Sequence, residues 1–274
     1  MSSAESPINV VTHPFVFRLL QVRRATWLTP HMVRITLEGE SLAGFRSDAA
    51  DDGARLFFPP DPTDASWVPT VEGTQVVFSD EHPKPPNHEY TPRRYDPEAG
   101  ELDIDFVVHG EGSASNWAAN AVPGHYLGIS GPRRSRVVDE GTVDWYLLAG
   151  DDTGLPSIAR RLEEMPAGKP AIAVLEVLNV EEEQLIETEA DLQLVWVHRQ
   201  GADGDISDLL ANAISQLTFP EGNVFAWAAG EASSIKAVRR HLVERGIPHQ
   251  RMRMTGYWKR SIPDWDHHIP VEES

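Results

Sequence analysis

The sequence predicts a β + α/β protein, with an N-terminal antiparallel six-stranded β-barrel followed by a C-terminal doubly wound parallel α/β domain. In the first half of the chain, six short runs rich in branched and aromatic residues alternate with turn signals, with little helix between them. In the second half, apolar runs alternate with amphipathic helical segments. The 274 residues suit two domains, which we place at 15–138 and 143–265, with flexible tails at 1–14 and 266–274.

The amino-acid composition argues against several kinds of partner and metal site. The formal net charge is −18, from 24 Lys and Arg against 42 Asp and Glu, which argues against a nucleic-acid or anionic-membrane partner. An anionic ligand therefore needs a local basic pocket. The absence of cysteine excludes disulfides, thiolate metal sites and cysteine-ligated iron–sulfur clusters. No run approaches the ~18 apolar residues needed to cross a bilayer, and the N-terminus lacks a signal-peptide pattern, so a cytoplasmic protein without membrane insertion is expected.

The barrel strands are predicted from apolar alternation bounded by turn residues. The six are Phe15–Ala25, Met32–Glu38, Arg55–Phe58, Tyr90–Tyr95, Leu102–Val108 and Tyr126–Ser130. Residues 59–89 are rich in proline and read as a surface connection, with Val76–Phe78 a strand fragment.

The second domain is predicted from alternating strand and helix patterns. Its strands are Trp145–Ala149, Ala171–Val177, Leu192–Val197, Asn223–Trp227 and Met252–Thr255, and its helices are Leu155–Met165, Ile206–Gln216 and Ala232–Arg245. Pro156 suits a first helical turn.

One stretch of the first domain joins a strand to a glycine-rich loop and a short helix. Leu102–Val108 alternates apolar and acidic residues, and the sequence HGEG follows it. Ser113 or Ser115 is expected to cap a helix over Asn116–Ala121. Backbone N–H groups at such a helix start suit a phosphate.

Four motifs in this region carry a family resemblance. They are Tyr90-Thr91-Pro92-Arg93, DIDFVVHG, SASNWA and LGISGPR. In this order and spacing they resemble the flavin domain of the siderophore-interacting proteins, a branch of the ferredoxin–NADP reductase superfamily that includes the vibriobactin-utilisation type. The resemblance extends to about Arg260. It implies an FAD-binding barrel, an NAD(P)H-binding-like second domain and ferric-siderophore reduction.

The resemblance assigns roles to residues of the first domain. Tyr90 would hold the flavin plane and Thr91 would place a hydroxyl near its reactive nitrogen, which makes them the candidate catalytic pair; an ordinary cross-strand pair is the alternative. His88 stands where the superfamily usually has a phosphate-binding arginine, so Arg93 is expected to contribute that charge. The further FAD-binding candidates are Asp105, Val107, His109, Gly112, Ser113, Ala114, Ser115 and Trp117. Core packing is the alternative role for Trp117.

In the second domain, candidates follow the strands. The loop GDDTG after the first strand, with Asp151 and Thr153, lies where a doubly wound sheet binds a nucleotide, although two aspartates there face a pyrophosphate. His198 and Arg199 follow the third strand, and Arg199 is placed to meet a 2′-phosphate. The remaining candidates of this domain are Gly230, Glu231, Tyr257 and Trp258. Routine strand-to-helix turns and a hydrophobic anchor are the alternatives.

The implied substrate is an anionic ferric siderophore, and Lys259, Arg260 and Arg46 are the candidate substrate-binding residues. The electron donor would be NADPH or NADH, with a ferredoxin as an alternative partner. Two other functions stay open: a siderophore- or flavin-binding protein without NAD(P)H turnover, and a general NAD(P)H:flavin reductase. His267-His268 has no third ligand at a suggestive spacing, so no metal site is predicted.

Overall fold

The chain divides into two compact units, each with its own hydrophobic core. In this computed structural model, residues 6–110, 112–200, 208–260 and 262 are described. The first unit is Val10–Val137, and the second comprises the residues before Val10 together with those from Val138 onward. The predicted tail 266–274, with His267 and His268, lies outside the described residues. Within them, no helix has the length and apolar character needed to cross a membrane.

The first half of the chain is mainly β-structure. Its elements are β1 Ile8–Thr12, β2 Phe17–Thr29, β3 Met32–Glu38, β4 Ala54–Phe57, β5 Thr70–Glu72, β6 Gln75–Val77, β7 Asn87–Tyr90, β8 Arg94–Asp96, β9 Glu101–Val107, α1 Ser113–Ala119, β10 Tyr126–Ser130 and β11 Arg134–Val138. The predicted strand fragment at Val76–Phe78 overlaps β6, which ends at Val77 and forms a hairpin with β5.

Seven of these strands form one antiparallel sheet in the order β7-β4-β10-β2-β3-β9-β8. Strands β7 and β8 lie at opposite edges, yet three residues, Thr91–Arg93, join them. Four residue steps span at most about 14 Å, whereas the edges of a flat seven-stranded sheet would lie roughly 29 Å apart. The sheet must therefore curl on itself, in agreement with the predicted antiparallel barrel architecture.

The predicted count of six strands is wrong, because Tyr90–Tyr95 is not one strand. It breaks at Thr91–Arg93 into the end of β7 and the start of β8. Pro92 has no N–H to donate to a ladder, and it restricts the residue before it. The break exchanges one expected strand for two short edge strands.

The two faces of β9 differ in the way that its alternation predicts. Leu102, Ile104 and Phe106 are fully buried in the first core. The opposite face carries Glu101 and Asp103, which pair with Arg94 at 3.0 and 2.8 Å, and then Asp105. Glu101 also accepts from both terminal nitrogens of Arg24, at 2.7 and 2.8 Å. The acidic residues of this strand are thus neutralised by neighbouring arginines.

Part of the predicted N-terminal tail is ordered structure. Strand β1 pairs with β11, and the chain after it is held by a buried polar cluster. The His13 Nε2 atom lies 2.7 Å from Ser135 Oγ, and Ser135 Oγ donates to Asp52 at 2.6 Å. Pairing with β11 thus orders β1, and the buried, mutually bonded polar groups fix His13, which follows β1, beside Ser135 of β11 and Asp52.

The second unit contains a five-stranded sheet. Its elements are β12 Trp145–Asp151, α2 Leu155–Glu164, β13 Pro170–Val177, β14 Asp191–His198, α3 Leu209–Ser215, β15 Val224–Glu231, α4 Ala232–Glu244 and β16 Met252–Trp258. All pairings are parallel in the order β14-β13-β12-β15-β16. The predicted doubly wound sheet is confirmed. Four of its five strands run further at their carboxyl ends than the apolar runs indicate, whereas β13 ends at Val177 as predicted.

Strand β12 is the topological switch point of this sheet. The chain moves outward from β12 through β13 to β14, then returns to the other side of β12 as β15. Residues Leu147 and Ala149 face the core that contains α3 and α4, whereas Tyr146 and Leu148 are buried on the opposite face. In doubly wound sheets, ligands bind beyond the carboxyl ends of the strands at such a point. The carboxyl ends of β12 and β15 are therefore the place to look for a site.

Replacing Glu101 with glutamine should weaken the first unit in a pH-dependent way. Hydrogen bonds from Arg24 lower the pKa of Glu101 to about 2, from an ordinary 4.5. A lowered folded-state pKa stabilises the protein above pH 4.5, and this stabilisation is lost as the pH falls through about 2. We expect the variant to lose about 1 kcal/mol of unfolding free energy at pH 7, because its arginine partners are partly exposed.

The measurement is urea unfolding at pH 7, 5 and 3.5. The loss should be equal at pH 7 and 5 and smaller at pH 3.5. Glu98→Gln, in the exposed turn of the same hairpin, serves as the control. An equal loss in both variants would contradict the prediction.

Candidate functional site

In the first unit, an aromatic cluster surrounds the carboxyl end of β7. The Tyr90 ring lies 4.6 Å from Phe106 and 6.4 Å from Phe58. Trp117 of α1 packs against both of these phenylalanines at 5.7 and 5.8 Å. Burial raises the pKa of Tyr90, so its hydroxyl stays protonated. The rings hold Tyr90 in a fixed orientation, and they place Trp117 in the core.

The glycine-rich loop meets this cluster at the start of α1. The His88 Nε2 atom lies 3.3 Å from Ser113 Oγ, and the His88 ring lies 6.1 Å from Phe58. Gly110 and Gly112 have φ of 42° and 150°, a region that favours glycine. The loop thus brings His88 of β7 beside the first residue of α1.

The start of α1 differs from the prediction. It begins at Ser113 rather than Asn116, and neither serine caps it; the N-cap residue is Gly112, without a side-chain hydrogen bond. Ser115 instead binds the loop, accepting from the His109 N–H at 2.9 Å and donating to the His109 carbonyl at 3.3 Å. The first N–H groups of α1, from Ser113 and Ala114, are consequently not covered by a side-chain cap.

The link between β7 and β8 is buried. Thr91 and Arg93 are 9 % and 7 % exposed. The Arg93 N–H donates to the Asp103 carbonyl at 2.8 Å, and its Nε lies 3.5 Å from Asp105. Asp105 also accepts two hydrogen bonds from Arg34, at 2.7 and 2.8 Å. Arg93 and the Asp105 carboxylate thus fix the link to β9, while Val107 ends that strand, next to the loop that contains His109.

In the second unit, Asp151 organises the carboxyl edge of the sheet. It is 4 % exposed at the end of β12. One carboxylate oxygen accepts from the N–H and the hydroxyl of Thr153, at 2.9 and 2.6 Å. The other accepts from the Glu231 N–H and the Trp258 indole N–H, both at 2.8 Å. The carboxylate therefore joins its own loop to β15 and β16, and its charge is satisfied by four donors.

Glu231 is the N-cap of α4. Its carboxylate accepts from the N–H groups of Ser233 and Ser234, at 2.7 and 3.0 Å, and from the Arg260 N–H at 3.3 Å. A side-chain carboxylate at this position stabilises the helix start. This acid is thus also engaged by backbone donors.

Glycine is required where β12 and β15 approach each other. A Cβ on Gly154 would lie 2.5 Å from the Ala229 carbonyl oxygen, and one on Gly150 would lie 2.6 Å from the same atom. A Cβ on Gly230, whose φ is 153°, would lie 2.6 Å from Asp151. These contacts are too short for any side chain, so the three glycines let the switch-point loops pack closely.

The carboxyl ends of β13 and β14 carry an ionic cluster. The Arg199 guanidinium donates a short hydrogen bond to Asp152 and lies 3.5 Å from the Glu176 carboxylate. Burial raises the pKa of Asp152, opposed by Arg199. Burial likewise raises the pKa of Glu176 to about 7, again against Arg199. His198 pairs separately with Glu183 at 2.8 Å.

The remaining predicted residues lie in two places. Tyr257 and Trp258 belong to β16, and the Tyr257 ring lies 6.5 Å from that of Trp227. Lys259 and Arg260 follow directly, with Lys259 bridged to Ile262. Arg46, in the first unit, is exposed and paired with Asp48 at 2.7 Å. Its charge is therefore partly compensated.

Sequence reasoning missed several residues that shape these regions. Glu176 stands inside an apolar run and gave no signal beyond being an acid in a buried strand. Arg34 and Phe58 lie far along the chain from their partners Asp105 and Tyr90, so only the fold brings them together. The sequence predicts a role for Trp258 as an aromatic, but its bond to Asp151 depends on β16 extending past Thr255.

A curled antiparallel sheet, followed by a doubly wound sheet with a glycine-rich switch point, is a two-domain fold that also occurs in a reductase that binds FAD and NADP. A ferredoxin–NADP reductase from Neisseria gonorrhoeae with bound FAD and NADP shares this fold, with a TM-score of 0.59 at 15 % identity over 88 % of this chain and 99 % of that chain. Two family models match this chain: the siderophore-interacting FAD-binding domain over residues 21–136 and the siderophore-interacting protein domain over 143–261. The chain belongs to the siderophore-interacting protein family.

Several relatives are similar in sequence to this chain over most of its length. The ferric vibriobactin reductase ViuB of Vibrio cholerae is 34 % identical over 255 residues, 92 % of each chain. The NADPH-dependent ferric-chelate reductase of Escherichia coli is 35 % identical, over 88 % of this chain and 92 % of that protein. A siderophore utilization protein from T. fusca superposes with a TM-score of 0.86 at 40 % identity, covering 95 % of this chain and 99 % of that one.

Replacing Asp151 with asparagine should destabilise the second unit. An amide accepts through one oxygen only, so at least one of the two donor pairs would face an NH₂ group. Leaving buried donors without an acceptor costs about 1–3 kcal/mol each. We expect about 2–4 kcal/mol lower unfolding free energy, measured by urea unfolding with tryptophan fluorescence. Asp191→Asn, exposed at the start of β14, should change it by less than about 0.5 kcal/mol; comparable losses would refute the role given to Asp151.

Proposed function

We propose that this protein is an FAD-dependent ferric-siderophore reductase that takes electrons from NADPH or NADH and releases Fe(II) for intracellular use. The observation that carries the proposal is the first unit's site, where Tyr90, His88 and the uncapped start of α1 meet, within a domain of the siderophore-interacting FAD-binding family. The family membership supports the substrate class.

The residues of the first unit fit FAD in their chemistry. Tyr90 offers an aromatic plane held against Phe106, and Thr91 offers a hydroxyl beside it in sequence. The N–H groups of Ser113 and Ala114 are donors of the kind that pyrophosphates accept. His88 adds a polar side chain at the same helix start, in place of the superfamily's arginine. FAD held by these residues would supply the redox chemistry, which is two-electron acceptance from NAD(P)H and one-electron donation to Fe(III).

The protein's own contribution is orientation and electrostatics rather than acid–base chemistry. Tyr90 fixes the plane of the ring system, and its raised pKa keeps the phenol neutral. Arg93 and Asp105 keep the Thr91 link in place. Asp151 and Glu231 are engaged by backbone and side-chain donors. Asp152, the other aspartate of the GDDTG loop, is paired with Arg199, so both acids that disfavour dinucleotide binding in the sequence have partners.

We assign substrate attraction to Lys259 and Arg260, with Arg46 as a further candidate. Fe(II) binds hard oxygen ligands more weakly than Fe(III), because its charge is lower, so reduction releases the metal. In a chain of net charge −18, an anionic complex requires such local cations. We further propose that the two domains span residues 15–138 and 143–265. The proposed location is the cytoplasm. A ferredoxin is an alternative electron donor.

The test is an anaerobic absorbance titration of the purified full chain with FAD. NADPH or NADH should bleach the flavin band, and a ferric siderophore should restore it while Fe(II) appears in a chelator trap. Thr91→Val should retain FAD and slow the bleaching by up to about tenfold, because a net hydrogen bond between neutral groups contributes about 0.5–1.5 kcal/mol. The exposed Thr26→Val serves as its control.

Other outcomes separate the alternatives. Bound flavin that neither dinucleotide bleaches would replace the NAD(P)H route by another donor or by a binding role. A chain that releases its flavin during turnover would favour a general flavin reductase. A protein that FAD cannot load would overturn the proposal.

Replacing Lys259 and Arg260 together with glutamine should weaken capture of anionic substrate. We expect the KM for a trianionic ferric tris-catecholate to rise about tenfold, because long-range attraction is lost. Bleaching of the flavin by NADPH should be unchanged. The exposed Lys236→Gln on α4 is the matched control. If a neutral ferric trihydroxamate were affected equally, charge would not be the property through which these residues act.

A further inference from the structure

The ionic cluster around Arg199 has an unusual balance of charge. The Arg199 N–H donates to the Val177 carbonyl at 2.9 Å, which fixes the residue across the end of β13. Its guanidinium donates to Asp152 and, at 3.3 Å, to the Glu176 carbonyl oxygen, and it lies 3.5 Å from the Glu176 carboxylate. Asp151 adds negative charge close to Glu176. One cation therefore stands among several acids.

These groups are withdrawn from solvent. The side chains of Arg199, Asp152 and Glu176 are 21 %, 16 % and 6 % exposed. The Oε2 atom of Glu176 is buried and has no hydrogen-bond partner among the described residues. Removing such acids from water is costly unless they are paired, and Arg199 is the cation that partly offsets this cost for both carboxylates.

The place of this cluster gives it a consequence for nucleotide binding. It lies at the carboxyl edge of the doubly wound sheet, where the ribose end of a dinucleotide meets the residues after the outer strands. An arginine at this place binds a 2′-phosphate when its guanidinium is available. Here the guanidinium already has two carboxylate partners, and a 2′-phosphate would add negative charge to a group of acids.

Resting on the proposed function, we propose that Asp152 and Glu176 are positioning residues that hold Arg199 and make this site select nucleotides without a 2′-phosphate. The selection acts through Arg199, because its guanidinium must leave both carboxylates before it can pair with a phosphate. The neutral ribose 2′-hydroxyl of NADH does not need Arg199 to leave its carboxylates.

The selection depends on pH. Burial raises the pKa of Glu176 to about 7, so this carboxylate loses its charge as the pH falls from 8 to 6. The groups that face it or its partner are Asp151 from β12, Asp152 from the following loop, Arg199 after β14, and Glu182, which lies near Asp152. Protonation of Glu176 leaves Arg199 with fewer charged partners, so acceptance of a 2′-phosphate should rise toward acid pH.

The test uses two mononucleotides that differ in the 2′-phosphate. Isothermal titration calorimetry of the FAD-loaded full chain measures the Kd of 2′,5′-ADP and of 5′-AMP at pH 8. Wild type should prefer 5′-AMP. The isosteric double variant Asp152→Asn/Glu176→Gln should bind 2′,5′-ADP at least about tenfold more tightly, with 5′-AMP changed less than about twofold. Adding Arg199→Met should remove the gain.

Two controls distinguish the mechanism from a general loss of negative charge. Glu187→Gln, an exposed position of the same unit, should leave the ratio of the two Kd values unchanged. In wild type, the ratio of the two Kd values should shift toward tighter binding of 2′,5′-ADP between pH 8 and 6.5. The shift should be smaller in Glu176→Gln. The phosphate titrates near pH 6 in both proteins, so the difference between them reports Glu176.

The outcomes separate this inference from the proposed function. If both nucleotides bind and the double variant keeps the wild-type ratio, the role of Asp152 and Glu176 is overturned while the dinucleotide site stands. If neither nucleotide binds any variant, both the inference and the NAD(P)H step of the proposed function are overturned.

Discussion

The Asp151 carboxylate is the interaction on which the second unit's functional edge depends. Three separate pieces of chain, the loop after β12, the start of α4 and the end of β16, each donate to it. The glycines at 150, 154 and 230 are a condition of this arrangement, since any side chain there would separate the strands or strike the carboxylate.

In the first unit, the link between β7 and β8 also has to be held in place, and ring packing and an ion pair do this. Its sheet has to curl until the edges β7 and β8 are joined by only three residues, and Pro92 ends the ladder at that point. The link is then fixed from both sides, by Tyr90 against Phe106 and by Arg93 against Asp105. The residues with candidate chemistry thus lie where the backbone leaves the regular ladder, and the packing around them supplies the rigidity.

Periodicity predicted most of the fold, because buried strands and amphipathic helices have a local signature. It placed all five parallel strands and the alternation of β9. It failed where structure depends on distant partners: β1 is ordered by pairing with β11, and the break at Pro92 is visible only when the two edges are known. Within the candidate site, the sequence identified Asp151, Arg199 and Trp258, but not their bonds. Whether an acid repels a phosphate or is already satisfied depends on three-dimensional neighbours, such as the four donors of Asp151.

The chain can carry a large negative charge and still bind anionic ligands, because the acids near the candidate sites already have hydrogen-bond or ion-pair partners. The acids nearest the candidate sites are each committed to donors: Asp103 and Asp105 to arginines, and Asp151 and Glu231 to N–H groups. A committed carboxylate presents little field to a ligand, whereas a helix start without a side-chain cap, as in α1, presents N–H groups. In the Arg199 cluster it is the cation that already has partners. Its positive charge is therefore less available to an anionic ligand. Net charge therefore describes the surface of this protein, while ligand choice follows from which charged groups already have partners.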